Sequence, residues 1–117
     1  MSHDIVGIRN WVLQNTTEPP IKESGFLFKE QYFSAEQVAK HNKCDDAWFV
    51  DKQSGYIYNV TPIFDPSILG HRGLDNEGMR GQLERRLGGA WDVHNDIQMH
   101  SPRAQMLWQA MRIGKIL

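Results

Sequence analysis

Five of the 117 residues are histidines, at positions 3, 41, 71, 94 and 100, and imidazole is the side chain best suited to moving protons or binding metal near neutral pH. Two of them stand in unusual surroundings. His71 lies in Gly70-His71-Arg72-Gly73, where the flanking glycines let backbone approach a planar ligand closely. His100 directly precedes Ser101, which reads as a helix N-cap with Pro102 at the first helical position, so its backbone and the direction of its ring are fixed. Two imidazoles on helix–loop corners that face each other suit a metal whose other ligands come from a macrocycle. Their separation of 29 residues does not prove that arrangement, and a structural or solvated histidine is the plainer reading of each.

Other chemistry is poorly supported. Zinc needs three or four ligands at compatible spacing, and His94 and His100 lack the i, i+3 or i+4 relation of a helical site. Cys44, three residues from His41, stands beside Asp45 and Asp46, which raise a thiol's pKa and disfavour a nucleophile. No glycine-rich phosphate loop occurs, and Trp48 and Trp108 fall on faces that read as core. With 40% hydrophobic and 23% charged residues, a net charge of −1 and a mean hydropathy of −0.53, the composition is that of one soluble globular domain and disfavours a polybasic nucleic-acid binder. A single cysteine excludes an intrachain disulfide and a thiolate cluster, which fits a reducing compartment. No apolar run approaches the roughly 18 residues of a membrane span, so no membrane anchor, inserted or exported form is expected of this chain.

These residues need elements to position them. Ile5, Ile8 and Val12 share a helical face, and Thr16-Thr17-Glu18-Pro19-Pro20 stops any helix, so residues 1–30 read as an N-terminal extension whose short amphipathic helix packs back on a domain spanning 31–117. Ser34 with Gln37 forms a capping box, with Phe33 and Val38 as its hydrophobic staple, ahead of a helix over 35–42. Residues 47–50 and 56–60 are β-favouring runs joined through Gly55 as a hairpin. Met79, Leu83 and Leu87 mark a helix over 76–87, closed by Gly88-Gly89, and further helical turns fill 90–98. Ala104, Leu107, Trp108 and Met111 mark the clearest helix, with Gly114 after its end.

The segment from Tyr32 to Leu117 resembles the haem-binding domain of cytochrome b5. Residues 33–48, from Phe33-Ser34-Ala35-Glu36 to Trp48, look like that family's first strand, first helix and tryptophan, and Tyr58-Asn59-Val60-Thr61 is similar to its Tyr-Asp-Val-Thr element. Leu87-Gly88-Gly89, His100-Ser101, Ala104 and Gly114 fall at the family's spacing without a gap, so His100 matches the second axial haem ligand. The family's first ligand sits in His-Pro-Gly-Gly six residues after the threonine, where this chain has Ser67; the nearest substitute is His71, ten after Thr61 and without the proline. His94 is the rival, but stands six residues from His100 on the same side. Asn95 replaces an aromatic beside the haem, and Trp91 compensates.

The resemblance implies an α+β fold, a small mixed sheet with helix pairs forming a haem crevice. It implies haem b as cofactor, held by His71 and His100 as metal ligands with Gly73, Trp91 and Ser101 around it. The function implied is that of a soluble b-type cytochrome, a carrier of single electrons and not an enzyme. It would be cytoplasmic and monomeric, reduced by a flavin-containing NAD(P)H-dependent reductase and oxidised by an unknown acceptor. Relatives of this fold also include haem sensors with a tyrosine ligand, a role open to Tyr56 and Tyr58, and haemless interaction domains.

Overall fold

The computed structural model describes residues 4–117, which leaves His3 outside the described residues. Sheet and helices alternate irregularly along the chain, as an α+β domain requires. Helix α1 (Ile5–Asn15) is followed by β1 (Lys22–Ser24), β2 (Glu30–Phe33), α2 (Ala35–Ala39), β3 (Asn42–Lys43), β4 (Asp46–Val50) and β5 (Tyr56–Asn59). A 3₁₀ turn over Thr61–Phe64 leads to α3 (Glu77–Glu84), a second over Leu87–Gly89 to α4 (His94–Met99), then α5 (Pro102–Met111) and β6 (Arg112–Ile116). The sheet runs β1-β2-β6-β5-β4-β3, antiparallel except where β2 meets β6.

Strand β4 shows why a continuous apolar run belongs here. Ala47 and Phe49 enter the larger core with Tyr58, Val60, Trp108 and Met111, while Trp48 and Val50 enter a smaller one with Phe33, Val38 and Ile57. The period-2 alternation thus feeds apolar side chains to both sheet faces, each covered by other elements. Its partner β5 forms the expected hairpin with it, and the register sets Phe49 opposite Tyr58 and Val50 opposite Ile57.

The expected capping box is formed: Ser34 Oγ accepts from the Gln37 amide at 3.0 Å and Gln37 Oε1 accepts from the Ser34 amide at 2.9 Å. The staple residues Phe33 and Val38 are fully buried. Helix α2 ends at Ala39, short of the expected 42, because the chain turns to pair β3 with β4 and lays the His41 ring on Trp48, centroids 3.7 Å apart. Helix α1 packs on α5 through Ile8 and Val12, both wholly buried. Its Arg9 donates to the carbonyls of Ala110 and Arg112, which the end of α5 would otherwise leave unpaired.

Gly114 serves differently from expectation. Helix α5 ends three residues before it, and Gly114 lies within β6, where a Cβ would stand 2.3 Å from the Gln31 carbonyl oxygen. It is the residue that lets β6 pass close beside β2. Among the described residues no helix is long and apolar enough to cross a membrane.

Candidate functional site

Helix α3 has no buried residue, although Met79 and Leu83 form an apolar stripe along it. Leu83 packs partly on the larger core and Met79 lies against Gly73, so the stripe is only half covered, and a half-covered stripe faces either solvent or a ligand. Here it faces a crevice of about 610 Å³. Its far wall is the α5 face of Ala104, Leu107, Trp108 and Met111, and Phe49 and Ile63 also line it. The periodicity that reads as core in the sequence therefore builds the walls of an open slot.

Both of the singled-out histidines line this crevice. His71 comes from the loop that follows the first 3₁₀ turn. That loop is stitched to itself: Gly70 N donates to the Pro62 carbonyl at 3.0 Å, and the Asp65 carboxylate accepts from the Ser67 amide and hydroxyl at 2.9 and 2.7 Å. Ser67, at the position of the family's first ligand, is thereby turned onto Asp65. The His71 Nδ1–H donates to the Arg72 carbonyl at 2.8 Å.

His100 occupies the joint between α4 and α5. Its amide donates to the Ile97 carbonyl at 3.2 Å, its own carbonyl accepts from Gln105 Nε2 at 3.0 Å, and its ring stands edge-on to Trp108 with centroids 6.0 Å apart. Its Nδ1–H donates to the Asp96 carbonyl. A carbonyl oxygen can only accept, so in each histidine Nδ1 carries a proton, and in the neutral ring Nε2 is the nitrogen with the lone pair. Such a backbone hydrogen bond is the usual means of orienting a metal-binding imidazole.

The remaining sequence candidates fall elsewhere. Ser101 is exposed and caps α5, its Oγ accepting from the Ala104 amide at 3.2 Å. Gly73, with φ 84°, packs behind Met79, and neither Gly73 nor Ser101 lines the crevice. Trp91 is not brought to the crevice either: it is half exposed, with the guanidinium groups of Arg85 and Arg86 over its ring at 5.5 and 5.9 Å. Arg86 in turn donates to Asp96 Oδ2 at 2.6 Å, and both line the crevice. His94 lies outside it, its Nδ1 against both oxygens of Asp51 at 3.0 and 3.1 Å.

Neither tyrosine reaches the crevice. Burial pushes the Tyr58 phenol up to about 12, and Tyr56 lies under Arg112 at 3.8 Å. The Cys44 thiol is raised, as its acidic neighbours suggest, but by burial first and then by Glu84, which accepts its S–H at 3.3 Å. Among the described residues no group of three or more His, Cys, Asp or Glu side chains is placed to hold an ion. Residues the sequence did not single out as site residues include Leu69, Gln82 and Asp96; a loop leucine and two polar helix positions carry no periodic signal that could have found them.

The fold and this site define a class: a mixed α+β domain whose helices hold an open apolar crevice with two lone-pair imidazoles in its walls. No known family profile and no curated protein matches the chain. Among solved structures it is similar to cytochrome b558 of Ectothiorhodospira vacuolata, described as a prokaryotic homologue of cytochrome b5: 26% identity, 74% of this chain and 98% of that one, TM-score 0.51. Cytochrome b5 of Ostreococcus tauri virus 2 matches at 22% identity over 71% of this chain and 81% of that one, TM-score 0.46. The chain has a cytochrome b5-like fold. Haem b, the cofactor expected from the sequence, accords with a neighbour that is a b-type cytochrome by name.

Proposed function

We propose that this chain binds haem b non-covalently in the crevice between α3 and α5 and carries single electrons, with His71 and His100 as the two residues that would hold its iron. The bound haem iron supplies a one-electron redox centre. The chain's own residues bind and orient it. The observation that carries the reading is the shared proton pattern of the two histidines, each with Nδ1–H on a backbone carbonyl and Nε2 left as a donor to metal. Because the two rings come from separate segments, neither depends on the other's helix for its position.

Held by two imidazoles, the group would exchange electrons without binding oxygen or substrate, which would make the domain a carrier and not an enzyme. The apolar crevice walls would keep water from it. Arg72, exposed at the crevice, and Gln82 are suited to its carboxylate groups. Ser101 acts by fixing the start of α5 behind His100, Gly73 by letting the His71 loop turn under Met79, and Trp91 by backing Arg86 against Asp96.

As donor we propose a flavin-containing NAD(P)H-dependent reductase and as location the cytoplasm, where the lone Cys44 thiol stays reduced. The positions of Tyr56 and Tyr58 outside the crevice weigh against a tyrosine-ligated sensor. Haem titration of the chain and of its His71→Ala and His100→Ala variants tests the reading. Equimolar uptake with a low-spin spectrum that each substitution removes is the expected result; no uptake, or unchanged spectra in both variants, overturns it.

A further inference from the structure

The turn between β1 and β2 carries Phe26, Leu27 and Phe28, whose relative exposures are 94%, 80% and 88%. Three consecutive large apolar residues this exposed are unusual on a soluble surface, where apolar side chains occur singly. The turn is built to hold them out. Gly25, with φ 119°, sits where a Cβ would come within 2.1 Å of the Phe28 carbonyl oxygen, so the chain reverses tightly around the three side chains. Its base is anchored by the pairing of Lys22, Glu23 and Ser24 with Tyr32, Gln31 and Glu30.

We propose that this hairpin tip is a docking point for the surface of a lipid bilayer. Three arguments favour lipid over another protein. The tip is convex, and a bilayer needs no complementary pocket to receive it. Its apolar area is small: aromatic side chains bury roughly 150–250 Å² each, so three residues fall short of the roughly 800 Å² per partner of a stable protein interface. The charges at its base suit a headgroup region: Lys22 and Lys29 are exposed against one exposed carboxylate, Glu23, and Glu30 is already paired to Arg112, which leaves one positive charge in excess.

The tip belongs to the edge pair β1–β2, which contributes no residue to the crevice. Docking through it therefore leaves the crevice open to other partners. Three side chains hold a protein to a membrane weakly and reversibly, in the manner of a single acyl chain.

Co-sedimentation of the full chain with phosphatidylcholine vesicles, with and without phosphatidylserine, tests the proposal against a variant carrying Phe26→Ser, Leu27→Ser and Phe28→Ser. The wild type is expected to sediment with both vesicles, more with the anionic ones, and the variant to lose at least about tenfold in partitioning with unchanged far-UV circular dichroism. The single substitution Leu27→Asp, checked the same way, covers the case of a triple variant that fails to fold. Absence of binding by the wild type, or binding that neither variant weakens, overturns the proposal. Sedimentation equilibrium without lipid names the rival: a dimer that both variants dissolve, together with no vesicle binding, makes a second copy of the chain the occupant.

Discussion

At the scale of single residues, the two crevice histidines differ from the other described histidines in what they bind. His41 is held between Glu18 at 3.0 Å and Asp46 at 2.7 Å, and His94 against Asp51, whereas His71 and His100 each spend one nitrogen on a carbonyl. Substituting either crevice histidine by Ala is expected to lower haem affinity by more than about tenfold, the lower bound for losing merely an outer partner of a metal ligand, and His94→Ala to leave it unchanged; a haem titration of the three variants decides. The carboxylate partners predict an acid limb. Burial resists ionisation of Asp51, but hydrogen bonds from His94 and the Ser54 and Gln53 amides outweigh it and hold the carboxyl below its ordinary range. Glu18 is held down by His41, against some burial, with help from Lys40 and Gln37. A carboxyl lowered in the folded state contributes stability above its unfolded pKa, about 4 for these groups, and that stability is lost as pH falls through the folded value. Thermal unfolding followed downward from neutral pH should therefore show stability falling below about pH 4, and Asp51→Asn should flatten that limb.

At the scale of elements, the half-covered stripe of α3 has a dynamic consequence. With no residue of α3 buried and Met79 and Leu83 lining the crevice, α3 and the loop before it belong to the least stable part of the fold until the crevice is filled. Hydrogen exchange is expected to be fast in the α3 amides of the cofactor-free protein and to slow on haem addition, while β4 and β5 change little. Ser34→Ala, which removes the Oγ that accepts from the Gln37 amide and keeps the residue-34 amide on Gln37 Oε1, should cost about 1 kcal/mol and lower Tm without altering haem uptake. The elements legible in the sequence were those with strong local signals: the boxed start of α2, the β4–β5 hairpin, and α5 with Ser101 and Pro102 at its head. Strands β1 and β6 were not, and β2 only at Phe33 through the resemblance, because these strands exist by pairing across the chain, Tyr32 with Lys115 and Phe33 with Ile116. In the site, the histidines were readable from their neighbours and from the resemblance. The carbonyls of Arg72 and Asp96 that orient them were not, since a backbone acceptor leaves no mark on residue type.

At the scale of the whole molecule, positive charge near the crevice sets how a partner would approach. Arg86 is neutralised by Asp96 and Arg80 lies against Glu84 at 3.6 Å, which leaves Arg72 and Arg85 as exposed cations beside the crevice region. If the reductase presents an acidic face, Arg72→Glu and Arg85→Glu should slow reduction at low salt, and the effect should fade once the screening length falls to about 8–10 Å at ordinary ionic strength; stopped-flow reduction across a salt series reads this directly. The central claim is that the crevice holds haem through two imidazoles. The measurement that tests it most directly is the absorption spectrum of the chain titrated with haem, oxidised and then reduced. The account predicts saturation at one haem per chain with low-spin, six-coordinate bands that sharpen on reduction, and it would be contradicted by a high-spin spectrum or by the absence of stoichiometric uptake.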